Sequence, residues 1–473
     1  MKTPIALFAL PLLLTAPAAH ATALADMHLD APQGIGATLI HAETYGAKGD
    51  GASDDTKALQ AAIDATAAAH GTLVLKPGTY LTGALFLKSH MALRLDKGVT
   101  LTGAQDIKAY PRLPSRVAGI EMTWPVALLN IYKQTDVKVY GDGVLDGNGK
   151  VFWDSYWKLR HDYEPKGLRW ASDYDAERPR LFLVYGARRV EIGNGSLDDA
   201  LNFTRSGFWT LQVTYSDNVN ISGIKVRNNV DGFGPSTDGV DIDSSHDVIV
   251  EKADIDNHDD DIVLKSGRDA DGLRVNRPTY NVVVRDSIIR AGAAGIAFGS
   301  ETSGGIHDVE VYNLTVVGPT FNGILLKSAH TRGGTVSNIN IHDMKISGVD
   351  TAIRVDLNWN PAYSYASIPA DVKNPPEIWK ILATPVPHDE GLPHYKDIHI
   401  SHITATDTKV AVLFDAYPDA PAEDFTLDHI DLKTRTAGSI THARGIHFTN
   451  TTIDAADGSH VKLDDATDVT GLP

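Results

Sequence analysis

Cysteine is absent from all 473 residues. No disulfide or thiolate-bound metal is available, so packing and backbone hydrogen bonds must hold the fold. Basic residues are in deficit: 43 Lys and Arg face 60 Asp and Glu, for a formal net charge of −17. A field of that sign repels phosphate backbones and excludes nucleic acid as the expected partner. Long apolar runs are also missing. The run from Ile5 to Leu14 is shorter than the roughly 20 residues a bilayer span takes, and no later segment is long enough. Lys2 precedes that run, and the small-residue sequences Ala19-His20-Ala21 and Ala21-Thr22-Ala23 follow it. It therefore reads as a secretory signal over residues 1–23. The mature chain, residues 24–473, is expected to be a secreted or periplasmic monomer of one domain, with no membrane partner.

What is present is repetition. Segments of the form Asn or Asp, apolar, any, apolar begin at 136, 218, 247, 281, 308, 338 and 397. The first apolar residues of five of them, Val219, Val248, Val282, Val309 and Ile339, are spaced 29, 34, 27 and 30 apart. A period of that length, rich in Val, Ile and Gly, fits one coil of a solenoid built from short stacked strands. The Leu and Asn spacing of a leucine-rich repeat is missing. The expected fold is all-β: a single-stranded, right-handed parallel β-helix. Residues 42–110 form its N-terminal capping part. There a helix is predicted from Asp54 to Ala69, with Ser53 as N-cap and Leu59, Ala62 and Ile63 on one face, covering the open apolar end of the coil.

Two stretches break the period. Residues 151–179 carry Trp153, Tyr156, Trp157, Tyr163 and Trp170; residues 356–394 carry Trp359, Tyr363, Tyr365 and Trp379. Long loops on a regular scaffold are commonly functional. Aromatic faces stack on sugar rings, so both loops are candidate walls of a carbohydrate cleft; packing against the side of the solenoid is the plainer reading.

The densest chemistry lies between Gly234 and Gly267. Asp238 precedes one β-rich run, and Asp259 and Asp260 precede the next, 21 and 22 positions on. Equivalent positions on neighbouring coils of a parallel solenoid lie about 4.8 Å apart. One carboxylate from one coil and two from the next would therefore converge. Three crowded carboxylates cannot all ionise, so one keeps its proton near neutral pH. Such a set suits glycoside hydrolysis, in which one carboxylic acid protonates the leaving oxygen and a carboxylate activates water. The competing reading is an Asp ladder that satisfies turn N–H groups; Asp241, Asp243, Asp254 and Asp256 are assigned to it. Lys265, Arg268, Arg274, Arg277, Lys327 and Arg332 form a local basic excess against the overall field.

These residues resemble glycoside hydrolase family 28, the polygalacturonase-like pectinases, and in particular a bacterial branch of it. The family's Asn-Thr-Asp is Ser236-Thr237-Asp238 here, its Asp-Asp pair is Asp259-Asp260, its Gly-His-Gly is Gly292-Ala293-Ala294, and its Arg-x-Lys is Leu325-Leu326-Lys327. The carboxylates match; the His and the Arg do not. The resemblance covers most of residues 42–450 and implies a pectin-lyase-like solenoid. It implies Asp259 as general acid, Asp238 and Asp260 as holders of the attacking water, and inversion at the anomeric carbon. It implies Lys327 beside the sugar carboxylate, with no cofactor and no metal. Arg274 and Arg277, in a loop resembling that branch, are further candidates for substrate binding. The expected partner is a pectic poly- or oligosaccharide, cleaved in exo fashion because the long loops would block one end of the cleft. Three alternatives stay open: a rhamnogalacturonan-directed hydrolase or rhamnosidase, which the departures at Ala293 and Leu325 motivate, a polysaccharide lyase on the same fold, and a non-catalytic carbohydrate-binding β-helix.

Overall fold

The computed structural model describes residues 24–473; the expected secretory signal, residues 1–23, lies outside them. The chain winds as a right-handed parallel β-helix. The repeat seen in the sequence is its winding: Val219 pairs with Val248, Val248 with Val282, Val282 with Val309, and Val309 with Ile339. The Asn or Asp before each marker has a structural cause. Asn218, Asp247, Asn281, Asp308 and Asn338 all sit at φ between 51° and 57°. That left-handed corner turns each coil, and Asn and Asp tolerate it better than other residues with a side chain.

Capping the first coils is helix α1 (Thr56–Ala68), which buries Leu59, Ala62 and Ile63 against them. Its N-terminus differs from the expected cap. Asp54 accepts from the Thr56 amide, whereas the Ser53 hydroxyl donates to Asp50. A hairpin absent from the sequence reading follows, β1 (Arg112–Val117) antiparallel to β2 (Ile120–Pro125). Helix α2 (Lys150–Tyr163) comes next and leaves the coil.

The strands that carry the site are β3 (Leu211–Thr214), β4 (Val240–Asp243), β5 (Asp260–Lys265), β6 (Thr279–Phe298), β7 (Ile306–Lys327) and β8 (Thr335–Asp356). In register along one face, Leu211, Val240, Ile262, Ile296, Ile324 and Ile353 stack inward, each fully buried. Each such side chain contributes about 1.5–3 kcal/mol, and together they fix which residues point outward.

Helix α3 (Glu377–Leu382) lies in the second insertion. A second apolar core joins the hairpin to both insertions through Trp124, Trp170, Phe208, Trp209 and Trp379. The Trp379 indole donates to Asp175 across the two insertions at 2.8 Å. Four of the nine named loop aromatics, Trp153, Tyr156, Trp170 and Trp379, are buried, and of the nine Trp359 and Tyr363 line the cavity described below. No helix among the described residues is long and apolar enough to cross a membrane.

Candidate active site

Stacking sets the position of the three carboxylates. Because Val240 pairs with Ile262, Asp238 stands opposite Asp260 on the neighbouring coil, and the Gly239 amide donates to the Asp260 carbonyl at 2.9 Å. Asp259 lies one residue earlier in the turn, its amide held by Asn257 Oδ1 at 2.9 Å. One oxygen from each of Asp238, Asp259 and Asp260 lies within 4.8 Å of the others.

Two lysines brace the trio. Lys265 Nζ donates to Asp238 Oδ2 at 2.8 Å and to Asp241 Oδ1 at 2.5 Å, under the face of Trp209. Lys327 Nζ donates to Asp260 Oδ2 at 2.6 Å and lies 4.7 Å from the Trp359 ring centre. Lys327 stands two coils beyond Asp260. Its side chain reaches back past the intervening coil, on which Ala294 is the residue in register with Asp260. Asp238 Oδ1 and Asp260 Oδ1 are buried and accept from no protein group.

This arrangement separates the protonation states. Burial, and then the negative charges of Asp238 and Asp260, push the Asp259 carboxyl up to about 8. Asp259 therefore holds a proton at neutral pH. Burial also raises Asp238, against the pull of Lys265. Asp241, which the sequence reading assigned to turn N–H groups, is instead a buried partner of Lys265 and is raised well above the ordinary carboxylate range by its desolvation. Asp243 belongs to the same buried network through Arg116, at 3.2 Å, and Asp254 pairs with Arg227 and Arg290.

The trio opens into a small cavity of about 120 Å³. The coil wall carries the three aspartates, Lys265, Lys327 and Glu301; the facing wall carries Arg169, Asp173, Trp359, Asn360 and Tyr363. Glu301 accepts from the Tyr363 hydroxyl at 2.8 Å and is lowered to about 2: Lys265, Arg332 and Arg268 outweigh the cost of its burial.

Other expected residues are elsewhere. Arg274 is exposed and pairs with Glu121 and Asp271, at 2.5 and 2.7 Å. The Arg277 guanidinium rests 5.0 Å from the Tyr215 ring centre. Neither lines the cavity, because the segment between β5 and β6 folds as a short helix, Asp269–Val275, back against the hairpin. Arg268 and Arg332 are buried behind the cavity wall. Lys327 is present but turned to Asp260. Leu325 is fully buried with Val263, Ala294 and Ala297 under Trp359. Arg169, Asp173 and Glu301 were missed by the sequence reading. The only local signal for the first two was their spacing of four, which places an Arg and an Asp within ion-pairing reach on one helical turn.

Fold and site together define a class: a parallel β-helix with a lysine-braced carboxylate trio on one outward face. The chain belongs to the glycosyl hydrolases family 28, whose sequence profile matches residues 68–373. It is 30% identical over 327 residues to a probable polygalacturonase of Vitis vinifera, covering 67% of this chain and 62% of that protein. It is 26% identical over 383 residues to an exo-poly-alpha-D-galacturonosidase of Dickeya chrysanthemi, covering 70% and 60%. The chain thus spans about six tenths of the length of these curated relatives. Among solved structures, the exopolygalacturonase of Thermotoga maritima shares the fold at a TM-score of 0.74 and 24% identity, with 95% of this chain and 96% of that one covered. The family 28 exopolygalacturonase of Yersinia enterocolitica shares it at 0.74 and 20%, with 93% and 79% covered.

Proposed function

We propose that the protein is an exported glycoside hydrolase that removes terminal residues from galacturonate-containing pectic chains. One observation carries the reading: a protonated carboxyl, Asp259, within 4.8 Å of two carboxylates that are each bonded to a lysine. Asp259 donates its proton to the departing glycosidic oxygen. Asp238 and Asp260 each spend one oxygen on a lysine and keep Oδ1 for a water, which they orient and deprotonate. Oxygens this close lie nearer the roughly 5–5.5 Å carboxyl separation of double-displacement enzymes than the roughly 6.5–9.5 Å of inverting ones. Inversion is favoured nonetheless, because two convergent oxygens suit a shared water better than attack by either carboxylate.

The cavity supports exo action. At about 120 Å³ it is well below the roughly 300–1,000 Å³ of a site for a drug-sized ligand, so it suits a single sugar. The burial of Leu325, where the family carries an arginine, favours a second reading in which the terminal sugar is neutral, as in a rhamnose-releasing enzyme.

The test is incubation with galacturonan and rhamnogalacturonan oligosaccharides, with products read by NMR. Galacturonate monomer released with inverted configuration is the expected result. Retained configuration would reassign Asp238 or Asp260 as nucleophile. Rhamnose as product would favour the second reading. Unsaturated ends absorbing in the ultraviolet would indicate a lyase, and no product a binding protein. Export is tested by fractionating the producing cells.

A further inference from the structure

The cavity holds three cations, and two of them are committed. Lys265 is bonded to Asp238 and Asp241, and Lys327 to Asp260. The third, Arg169, belongs to the first insertion and makes one bond among the described residues, from Nη1 to Asp173 Oδ2 at 2.8 Å. Asp173 does not neutralise it alone, because Asp173 Oδ1 accepts from Arg178 at 2.9 Å and from the Ser236 hydroxyl at 2.9 Å. Two guanidiniums share one carboxylate. Behind the wall, Arg268 and Arg332 likewise share one carboxylate, Asp269. Arg169 Nε is buried without an acceptor, and Nη2 makes no hydrogen bond among the described residues. Those two nitrogens are the edge that a carboxylate takes side-on, through two parallel bonds. The Tyr363 ring, 5.2 Å from the guanidinium carbon, holds its plane.

Resting on the hydrolase reading above, we propose that Arg169 binds the carboxylate of the terminal uronate and so makes the enzyme selective for acidic chain ends. It does from the insertion what an arginine at position 325 would do from the coil. Leu325, apolar and covered by Trp359, cannot serve, and Arg274 and Arg277 do not reach the cavity.

The experiment compares kcat/KM on two galacturonate oligosaccharides that differ only at the non-reducing end, one carrying a free carboxylate and one a methyl ester. Each enzyme is scored by its acid-to-ester ratio. That ratio is taken within one preparation, so loss of folded protein cancels. Wild type should prefer the acid. Arg169→Gln should lower the ratio by about 10- to 100-fold, chiefly through KM, as expected for a charge-assisted pair. Arg169→Lys, charged but without the fork, should fall between and provides the measurement if the Gln variant does not fold. A ratio unchanged in both variants overturns the assignment, as does a wild type that hydrolyses the ester as well as the acid. A wild type that cleaves neither substrate defeats the hydrolase reading itself.

Discussion

The two walls of the cavity are built on different principles. The coil wall consists of outward residues on stacked strands. Its members are held by a ladder of backbone bonds, and moving Asp238 relative to Asp260 would require moving two coils. The insertion wall is two irregular segments pinned to each other by Trp170, Tyr163, Asp175 and Trp379, with no strand pairing between them. The first wall supplies carboxylates at fixed separation, which bond cleavage needs. The second supplies a guanidinium and two aromatic faces, which under the proposed function discriminate among sugars without setting the reaction geometry. Substitutions on the coil wall should therefore act on kcat, and substitutions on the insertion wall on KM.

The largest effect that bears on this contrast is Asp259→Asn. It removes the proton donor and keeps the shape, so kcat should fall by about 10²- to 10⁴-fold. Thermal stability should hold or rise at neutral pH: the folded Asp259 carboxyl is already uncharged there, whereas the unfolded one ionises, and the amide ionises in neither state. A kcat within threefold of wild type would take the acid role from Asp259 and erase the contrast. Next is Lys327→Met, which keeps the packing against Trp359 and strips Asp260 of its ammonium. Removing one partner of a buried pair costs about 3–5 kcal/mol, visible as a lower unfolding midpoint in denaturant, and kcat should fall as well. Loss confined to KM would show that Lys327 serves the substrate, as the sequence suggested.

The pH profile sharpens the same point. Asp259 must be protonated to act, and its carboxyl is raised to about 8 in the folded chain. The rate should therefore fall about tenfold per unit above pH 8. A raised carboxyl favours folding below its unfolded value near 3.8, and that contribution is lost as pH climbs through about 8. Stability should thus decline from about pH 3.8 to about 8 and activity only above about 8, and the Asn variant should lose that stability slope. A rate constant from pH 6 to 10 would contradict the assignment.

The difference between the walls also explains what could be read from the sequence. The coil announces itself because each repeat must return a Val or Ile to the same interior column and an Asn or Asp to the same left-handed corner. Once that period is known, Asp238 and Asp260 fall opposite each other. Lys327 was placed about two coils away because stacking gives backbone separations, whereas a lysine's reach is set by its own length. Arg274 and Arg277 looked like cleft cations because their loop resembles one in a bacterial branch of the family; here the segment turns back, with Arg274 on Glu121 of a hairpin that no period marks. Arg169 and Glu301 were harder to read for the complementary reason. Beyond the local pair of Arg169 with Asp173, their roles come from contacts with Tyr363 and Lys265 that tertiary packing supplies.

The smallest effect expected is that of Trp359→Ala, and it cuts across the two walls. The ring lies 4.7 Å from Lys327 Nζ and 5.6 Å from the Arg354 guanidinium, and it roofs Leu325. A cation over an indole is worth about 0.5–2 kcal/mol, so its loss loosens Lys327 somewhat. The ionic bond to Asp260 at 2.6 Å is the stronger restraint, however, and it survives the substitution. What the variant lacks outright is the flat face in the cavity. KM should then rise about 5- to 30-fold, as for an aromatic contact worth roughly 1–2 kcal/mol, while kcat stays within threefold. A fall in kcat with KM preserved would mean that the ring acts through Lys327 on Asp260, and that the insertion reaches into the chemistry of the coil.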